Sequence, residues 1–416
     1  MTPLDIACMA ALLVITATQV VLVARFARIC RQASRPANTA PCLSPARIIL
    51  CLRGSDPFLG DTIRAAVQQD HPDYELRVVV DSRADPAWAD VEAALATATP
   101  RCRVVVEPLT SRPETSSLKC ASLLQGLRDA ERDTAMVAFL DADVVPAPTW
   151  LRTLGTALAA ADCGVATGNR WYAPPGGDLG SWTRAGWNAG ALVQMVCFGI
   201  PWGGTLAIES GLLAAAGLRE KWARAFCEDT LLTATLARTG RHVAFVPSLI
   251  AINREQVTLP SLLPWITRQL LTARLYHPAW PVVAVFGLSA PLAVMATVVA
   301  LLLAMTRGDA ISLGGLAACL AVFLASLPTL FLWIERVVRQ AVPGTKSRPA
   351  SALVDAIRGT FAAQAVYGGA ILGALTLTST RWRGVTYAIG GPWDIRVMAD
   401  DEPAVAAPQP ARLHSI

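Results

Sequence analysis

The chain has 416 residues, of which 53% are hydrophobic and 16% charged, with a formal net charge of +5. Its mean hydropathy of +0.43 is outside the ordinary range of a wholly soluble protein and calls for one soluble domain plus membrane segments. Basic residues are scattered, Lys is scarce beside Arg, and no dense basic patch carries interleaved aromatics, which excludes nucleic acid as a partner.

Residues 6–24 carry no charge and are long enough, at 1.5 Å per residue, to cross a hydrocarbon core of roughly 30 Å. Asp5 precedes them, while Arg25, Arg28, Arg31 and Arg35 follow. That bias predicts an uncleaved anchor over residues 1–35, with the N-terminus outside and the next residues in the cytoplasm. The cysteines form no C-x-x-C pair and no zinc-spaced Cys/His cluster. Cys51, Cys102, Cys163 and Cys197 lie in apolar runs and are expected as buried thiols, in keeping with a reducing compartment. The Ala- and Arg-rich usage suggests a GC-rich bacterial genome, hence an inner-membrane location with residues 36–258 as a cytoplasmic domain.

Within that domain strand and helix patterns alternate, as in an α/β fold. Residues 47–52, 76–80 and 104–106 read as strands, residues 58–69 and 116–130 as helices, and residues 136–140 as a fourth strand that ends in Asp141-Ala142-Asp143. Open α/β sheets bind ligands beyond the carboxyl ends of their strands, where Asp81 and the Asp141/Asp143 pair both stand. A D-x-D there has a physical use: Mg²⁺ or Mn²⁺ held by one or two carboxylates neutralises a sugar nucleotide's diphosphate and stabilises it as a leaving group. Alone the triplet is weak, because Asp is common in turns.

Further along, Lys119 is one of three lysines and suits either a solvated surface or a diphosphate contact. Trp202-Gly203-Gly204 reads as a tight turn before a strand or as a close backbone approach to a ligand. Glu228 and Asp229 head a helix expected over residues 230–239, either as favourable charges at its N-terminus or as a general base. Residues 262–276, with Trp265, Arg268 and Arg274, read as an amphipathic helix at the bilayer surface, within an interfacial segment 259–280; Arg268 is also within reach of a diphosphate. A membrane region, 281–380, follows. It has spans over residues 281–305 and 313–334 joined by Arg307-Gly308-Asp309, and Arg336, Arg339, Lys346 and Arg348 return the chain to the cytoplasm. The shorter stretch 361–377 is expected as a re-entrant or interfacial segment, because a crossing would leave Arg381 and Arg383 outside. Residues 381–416 are then a cytoplasmic tail.

Several segments occur together in one order: C-L-R-G-S-D-P-F-L at 51–59, V-V-V-D-S ending at 82, D-P-A-W at 85–88, F-L-D-A-D, W-G-G-T-L-A-I, C-E-D with A-R-T-G-R, and Trp382-Arg383 with Tyr387, Gly390 and Gly391. In this order they resemble family-2-type glycosyltransferases, most closely the ceramide glucosyltransferases and their bacterial relatives, over nearly the whole chain. The resemblance implies a GT-A domain with a mostly parallel sheet and inversion at the sugar's anomeric carbon. It makes Asp81, Lys119, Asp141 and Arg268 donor contacts, Asp141 and Asp143 the metal-diphosphate motif, and Asp229 the catalytic base. Glu228, Trp202, Gly203, Gly204, Trp265, Gln269, Trp382 and Arg383 are candidate acceptor or accessory residues. One motif departs: where the family has Q/R-x-x-R-W, this chain has Trp265-Ile-Thr-Arg268-Gln269. A histidine expected near the acceptor pocket has no match in residues 187–202.

The expected function is transfer of a single hexose, glucose first, from a UDP-sugar to a membrane-lipid hydroxyl such as that of ceramide. A processive polysaccharide synthase is the alternative, although the altered motif and few C-terminal spans disfavour a polymer channel. A non-catalytic membrane protein is disfavoured by the retained carboxylates and by the absence of charge within residues 281–305.

Overall fold

The structure, a computed structural model, describes residues 1–33, 43–160, 162–342, 344–345 and 348–401. Arg35 and Lys346 of the charge-bias argument, and the tail from residue 402, lie outside the described residues.

Helix α1 (Pro3–Ala33) leads into β1 (Ala46–Leu52), α2 (Leu59–Ala66), β2 (Tyr74–Val80), α3 (Pro86–Ala96), β3 (Arg103–Pro108), α4 (Leu118–Gly126), α5 (Ala130–Asp133) and β4 (Met136–Leu140). Next come α6 (Trp150–Leu158), β5 (Cys163–Tyr172), α7 (Leu179–Phe198), β6 (Thr205–Glu209), α8 (Gly211–Ala215), α9 (Leu218–Trp222), α10 (Leu232–Ala237) and β7 (His242–Asn253). They are followed by α11 (Leu259–Tyr276), α12 (Trp280–Arg307), α13 (Ala310–Ala341), α14 (Leu353–Thr376), β8 (Ser379–Trp382), β9 (Val385–Gly391) and β10 (Asp394–Asp400).

Seven strands form one sheet in the order β3-β2-β1-β4-β6-β5-β7. Strands β1 to β4 pair in parallel, β6 runs antiparallel to β4 and β5, and β7 is parallel to β5. The expected α/β domain with a mostly parallel sheet is present. Its strands are nearly continuous apolar runs because both faces are covered. Ile49, Val79, Val137 and Phe139 face α4 and α9, where Trp222 is fully buried. Ile48, Leu50, Val78, Val80, Ala138 and Leu140 face α2, α3 and α6.

Three helices are shorter than the pattern predicts, and the first of them, expected over residues 58–69, spans Leu59–Ala66. The helix expected over residues 116–130 stops at Gly126, and Asp129 takes a left-handed conformation (φ 61°) before α5. The buried Arg47 guanidinium donates to the Gly126 and Arg128 carbonyls, which satisfies the helix end. The helix expected over residues 230–239 spans Leu232–Ala237 only, so Glu228 and Asp229 lie in a bend ahead of it. Its N-cap is Leu231, which makes no side-chain cap bond. Neither carboxylate occupies the N-cap position, although the Asp229 carbonyl accepts from Leu232 N at the helix start.

Helices α1, α12 and α13, of 31, 28 and 32 residues, are long and apolar enough to cross a membrane. Met295 and Ile311 are 62% and 74% exposed, as side chains facing lipid would be. The start of α1 and the turn between α12 and α13 meet at one end: Arg307 pairs with Asp5 at 3.0 Å, and Ser312 Oγ donates to Asp5 at 2.9 Å. The other end of α1 packs through Val23, Phe26 and Ala27 against Trp171, Trp182 and Ala189 of the α/β domain.

Helix α14 is not among the spans that qualify. The domain holds it near both ends. A Cβ at Gly359 would lie 2.4 Å from the Trp182 backbone, while Arg274 of α11 donates to the Ala374 and Leu377 carbonyls. After α14 the chain does not trail away. Strands β8, β9 and β10 form an antiparallel sheet whose Val385, Tyr387, Ile389 and Ile395 share the core of the α/β domain. Residues 379–400 are thus a folded cover on that domain rather than a loose tail.

Candidate active site

A cavity of about 590 Å³ opens at the carboxyl ends of β1, β2 and β4 and continues between α1, α7, α12, α13 and α14. Asp81, Lys119, Asp141, Asp143, Trp202, Glu228, Asp229, Trp265, Arg268, Gln269, Trp382 and Arg383 all line it. Gly203 and Gly204 are absent from the lining.

The glycines act one layer back. A Cβ on Gly203 would sit 2.0 Å from Glu228 Oε1, and one on Gly204 would sit 2.2 Å from the Trp202 ring and 2.7 Å from Asp141 Oδ2. The turn before β6 is glycine because two carboxylates pack against it. Gly203 N donates to Asp229 Oδ2 at 2.9 Å, and Thr230 N donates to Asp229 Oδ1 at 2.6 Å. Backbone donors from separate segments thus fix both oxygens of Asp229.

Lys119, at the start of α4 behind the Ser117 N-cap, lies 2.7 Å from Asp141 Oδ1 and 2.7 Å from Glu228 Oε1. The lysine joins the D-x-D strand to the Glu228-Asp229 bend. Burial raises the Asp141 carboxyl, but Lys119 and Arg170 outweigh it and hold the group below its ordinary value. Burial, opposed by Lys119 and reinforced by Asp229 and Asp141, pushes Glu228 up to about 7. Burial also raises Asp143, with Asp141 reinforcing it and Arg170 opposing.

Arg170 was not singled out in the sequence. It lies 3.6 Å from Asp141 Oδ2 and 3.4 Å from Asp143 Oδ2, stacks over Trp202 at 4.5 Å, and donates to Tyr172 Oη at 2.8 Å. A charged residue inside the otherwise uncharged strand A-T-G-N-R-W-Y was the available signal. Arg53 and Arg112 were also missed. Both pair with Asp81 Oδ2, at 2.7 and 2.8 Å, at the end of β2.

Arg268 has no carboxylate within ion-pair distance among the described residues. Burial, together with Arg383 and Arg170, pushes it down to about 10. Its guanidinium stands 5.5 Å from the Trp382 ring. That ring comes from the C-terminal hairpin, and Gln269 follows Arg268 in the chain. Trp265 packs edge-on to Tyr172 and Trp187, at 6.0 and 5.4 Å. Arg383 occupies the β8–β9 turn with φ 49°, followed by Gly384 at φ 83°, as a two-residue hairpin with twisted strands requires. It reaches Asp56 at 3.4 Å, and its carbonyl accepts from Arg53 Nε at 2.7 Å. Tyr387 Oη accepts from Leu118 N at 3.2 Å, next to Lys119. Among the described residues, the lining contains no histidine.

The profile of glycosyl transferase family 21 matches residues 5–392. The chain belongs to this family. It is a glycosyltransferase, and the match runs through most of α1, the α/β domain and most of the C-terminal cover. No curated protein sequence matches it. Among solved structures, a mannosyltransferase from Pyrobaculum calidifontis in complex with GDP-Man and Mn²⁺ is similar at 16% identity, over 89% of this chain and 99% of that one, with a TM-score of 0.48. A glucosyl-3-phosphoglycerate synthase from Mycobacterium tuberculosis, with Mn²⁺, UDP and phosphoglyceric acid, is similar at 19% identity over 55% of this chain and 77% of that one, with a TM-score of 0.34.

Proposed function

We propose that this family 21 glycosyltransferase moves one hexose from a UDP-sugar to the hydroxyl of a membrane lipid, with inversion, on a GT-A domain facing the cytoplasm of a bacterial cell. The observation that carries the reading is the continuity of a single cavity. Its mouth brings together Arg170, Arg268 and Arg383 with the Asp141/Asp143 pair, and its inner wall is made by the apolar helices.

A diphosphate suits the mouth. Arg268 has no carboxylate partner within ion-pair distance among the described residues, and burial, with Arg383 and Arg170 nearby, lowers its pKa; an anion bound beside it would relieve both. A divalent cation suits Asp143, whose contacts with Arg170 and Asn253 are long at 3.4 and 3.5 Å and whose carboxyl is raised first by burial and then by Asp141. No group of three or more His, Cys, Asp or Glu side chains is placed to hold a metal among the described residues. Asp143 and Asp141 would therefore hold Mg²⁺ or Mn²⁺ together with the donor's phosphates. When bound, such an ion supplies charge stabilisation to the departing diphosphate.

Asp229 is the base in this proposal. Its carboxylate is fixed by Gly203 and Thr230 and lines the cavity between mouth and inner wall. The lipid hydroxyl oxygen attacks the anomeric carbon, the bond to the β-phosphate oxygen breaks with its electron pair, and the hydroxyl proton passes to Asp229. Arg170, Arg268 and Arg383 hold the diphosphate charge that develops. The inner wall, with Leu22, Val283, Phe286 and Phe331, offers little to a growing polysaccharide and much to an acyl chain.

The test is purified protein with UDP-glucose or UDP-galactose, Mg²⁺ or Mn²⁺, and a panel of lipid and soluble sugar acceptors. Sugar appearing on lipid alone is expected. Polymer formation, or transfer only to soluble sugars, would overturn the reading.

A further inference from the structure

Four charged side chains close into a ring at the carboxyl ends of β1, β2 and β3. Strands β1 and β2 pair in parallel with Leu52 opposite Val80, so the next residues, Arg53 and Asp81, emerge side by side. Asp81 N donates to Leu52 O at 2.9 Å, which fixes the backbone there. Arg112 follows β3, whose Pro108 pairs with Val80. The fourth member, Asp400, ends β10, 288 positions beyond Arg112 and past residue 392, where the family match stops.

Arg53 reaches Asp81 Oδ2 and Asp400 Oδ1, each at 2.7 Å. Arg112 reaches Asp400 Oδ2 at 2.6 Å and Asp81 Oδ2 at 2.8 Å. Charges of opposite sign alternate around the ring, and it is neutral within itself. The side chains of Arg53 and Asp81 are only 10% and 6% exposed, whereas Arg112 and Asp400 stand in solvent. The outer pair therefore holds the inner pair. The Arg53 guanidinium also donates from Nε to the Arg383 carbonyl at 2.7 Å, which locks the β8–β9 turn to the same ring.

Both arginines address Oδ2 of Asp81. Among the described residues Oδ1 accepts no hydrogen bond, and it is not sealed from solvent. Asp81 lines the cavity, so Oδ1 is the oxygen left to accept an O–H or N–H of a bound nucleotide. Such an acceptor contributes most when its direction is set before the ligand arrives. Replacing Asp400 by a neutral residue leaves two guanidinia to one carboxylate, and Arg112 is then free to leave Asp81 for solvent.

Resting on the reading of Asp81 as a donor contact, we propose that Asp400 is a positioning residue of the nucleotide site: through Arg53 and Arg112 it orients the Asp81 carboxylate. The C-terminal sheet is then a working part of donor binding.

The experiment measures UDP binding by calorimetry, and donor KM and kcat, for the full-length protein in detergent. It compares wild type with Asp81→Asn, Asp400→Asn and the double variant. Asp400→Asn should weaken UDP by about three- to tenfold, the range for one partly exposed charged contact. Donor KM should rise by the same factor while kcat stays within about twofold. In the Asp81→Asn background the same change should cost less than about twofold, because nothing remains to be positioned. Arg396→Ala breaks only the exposed pair with Asp394 on the same strand and should leave UDP binding unchanged. Unchanged or tighter UDP binding in Asp400→Asn, an equal loss in Arg396→Ala, or losses that multiply in the double variant overturn this proposal and leave the donor site standing. If Asp81→Asn itself binds UDP as tightly as wild type, the reading of Asp81 as a donor contact fails, and this proposal fails with it.

Discussion

The mouth and the inner half of the cavity are built on opposite terms. At the mouth, charges of both signs crowd together: Arg170 spans two carboxylates at 3.4 and 3.6 Å, and Arg268 has none within ion-pair distance among the described residues. In the inner half the walls are hydrocarbon, and polar atoms are few enough to name one by one. A mouth of charged groups and an interior of hydrocarbon suit two unlike compounds. In the proposed reaction the two substrates are an anionic sugar nucleotide and a lipid, with Asp229 as the base.

Removing the junction is the largest perturbation. Asp229→Asn keeps the shape and the ability to accept from Gly203 but cannot take a proton. Transfer should fall by about a thousandfold, within the usual span for a lost general base, while UDP affinity stays within about twofold. Activity retained in this variant would move the base elsewhere, with Glu228 the first alternative. Next in size are the changes at the mouth alone. Asp143→Ala should abolish the part of UDP affinity that depends on Mg²⁺ or Mn²⁺, measured by titration with and without chelator. Arg268→Ala should weaken donor binding by about 10- to 100-fold, the value of one charge-assisted contact, and leave binding of the lipid acceptor unchanged. If Arg268→Ala weakens lipid binding as much as donor binding, the division into two halves is wrong.

Glu228 sharpens the comparison in another way, because it belongs to the mouth but is buried like the interior. Its proton is held up to about 7 in the folded chain, against an ordinary value near 4.5. Between those two values the unfolded chain has released the proton and the native chain has kept it. Unfolding therefore releases a proton there, and stability declines as pH rises from about 4.5 through about 7, then levels off. Glu228→Gln imitates the protonated form and should flatten this slope in thermal denaturation between pH 5 and pH 8. An unchanged slope would assign the pH dependence to another group.

Local patterns made some of this legible and hid the rest. Met136–Leu140 was readable to the residue because five apolar side chains are bounded by Asp141, and that same boundary positions the D-x-D. Asp81, Lys119 and Asp229 were found because the motif order places them at strand and helix ends. The break in the helix after Gly126 was hidden because its cause, Arg47, lies on another strand some 80 positions earlier (|i−j| of 79 and 81). Arg170 was hidden for a similar reason: only the sheet order, with β6 between β4 and β5, brings it to Asp141 and Asp143. The C-terminal sheet was the largest omission. Val385, Tyr387 and Ile389 alternate as a strand should, and Arg383-Gly384 is a hairpin turn, yet the positive charges drew the reading toward a tail.

That cover supplies the smallest predicted effect and the finest test of how the mouth is held. Tyr387 Oη accepts from Leu118 N, one residue before the lysine that ties Asp141 to Glu228. Its ring packs edge-on to Phe226 at 5.4 Å, two residues ahead of Glu228. Tyr387→Phe keeps this packing and removes only the acceptor, leaving a buried N–H unpaired at a cost of about 1 kcal/mol. If the cover only shields the domain, thermal stability should drop slightly and transfer should be unaffected. If the cover positions Lys119, kcat should fall several-fold with little change in KM for the lipid, because the displaced lysine disturbs Asp141 and Glu228 without touching the hydrocarbon half. An equal loss against every acceptor, with the lipid preference intact, is the outcome expected of a residue that acts through the mouth alone.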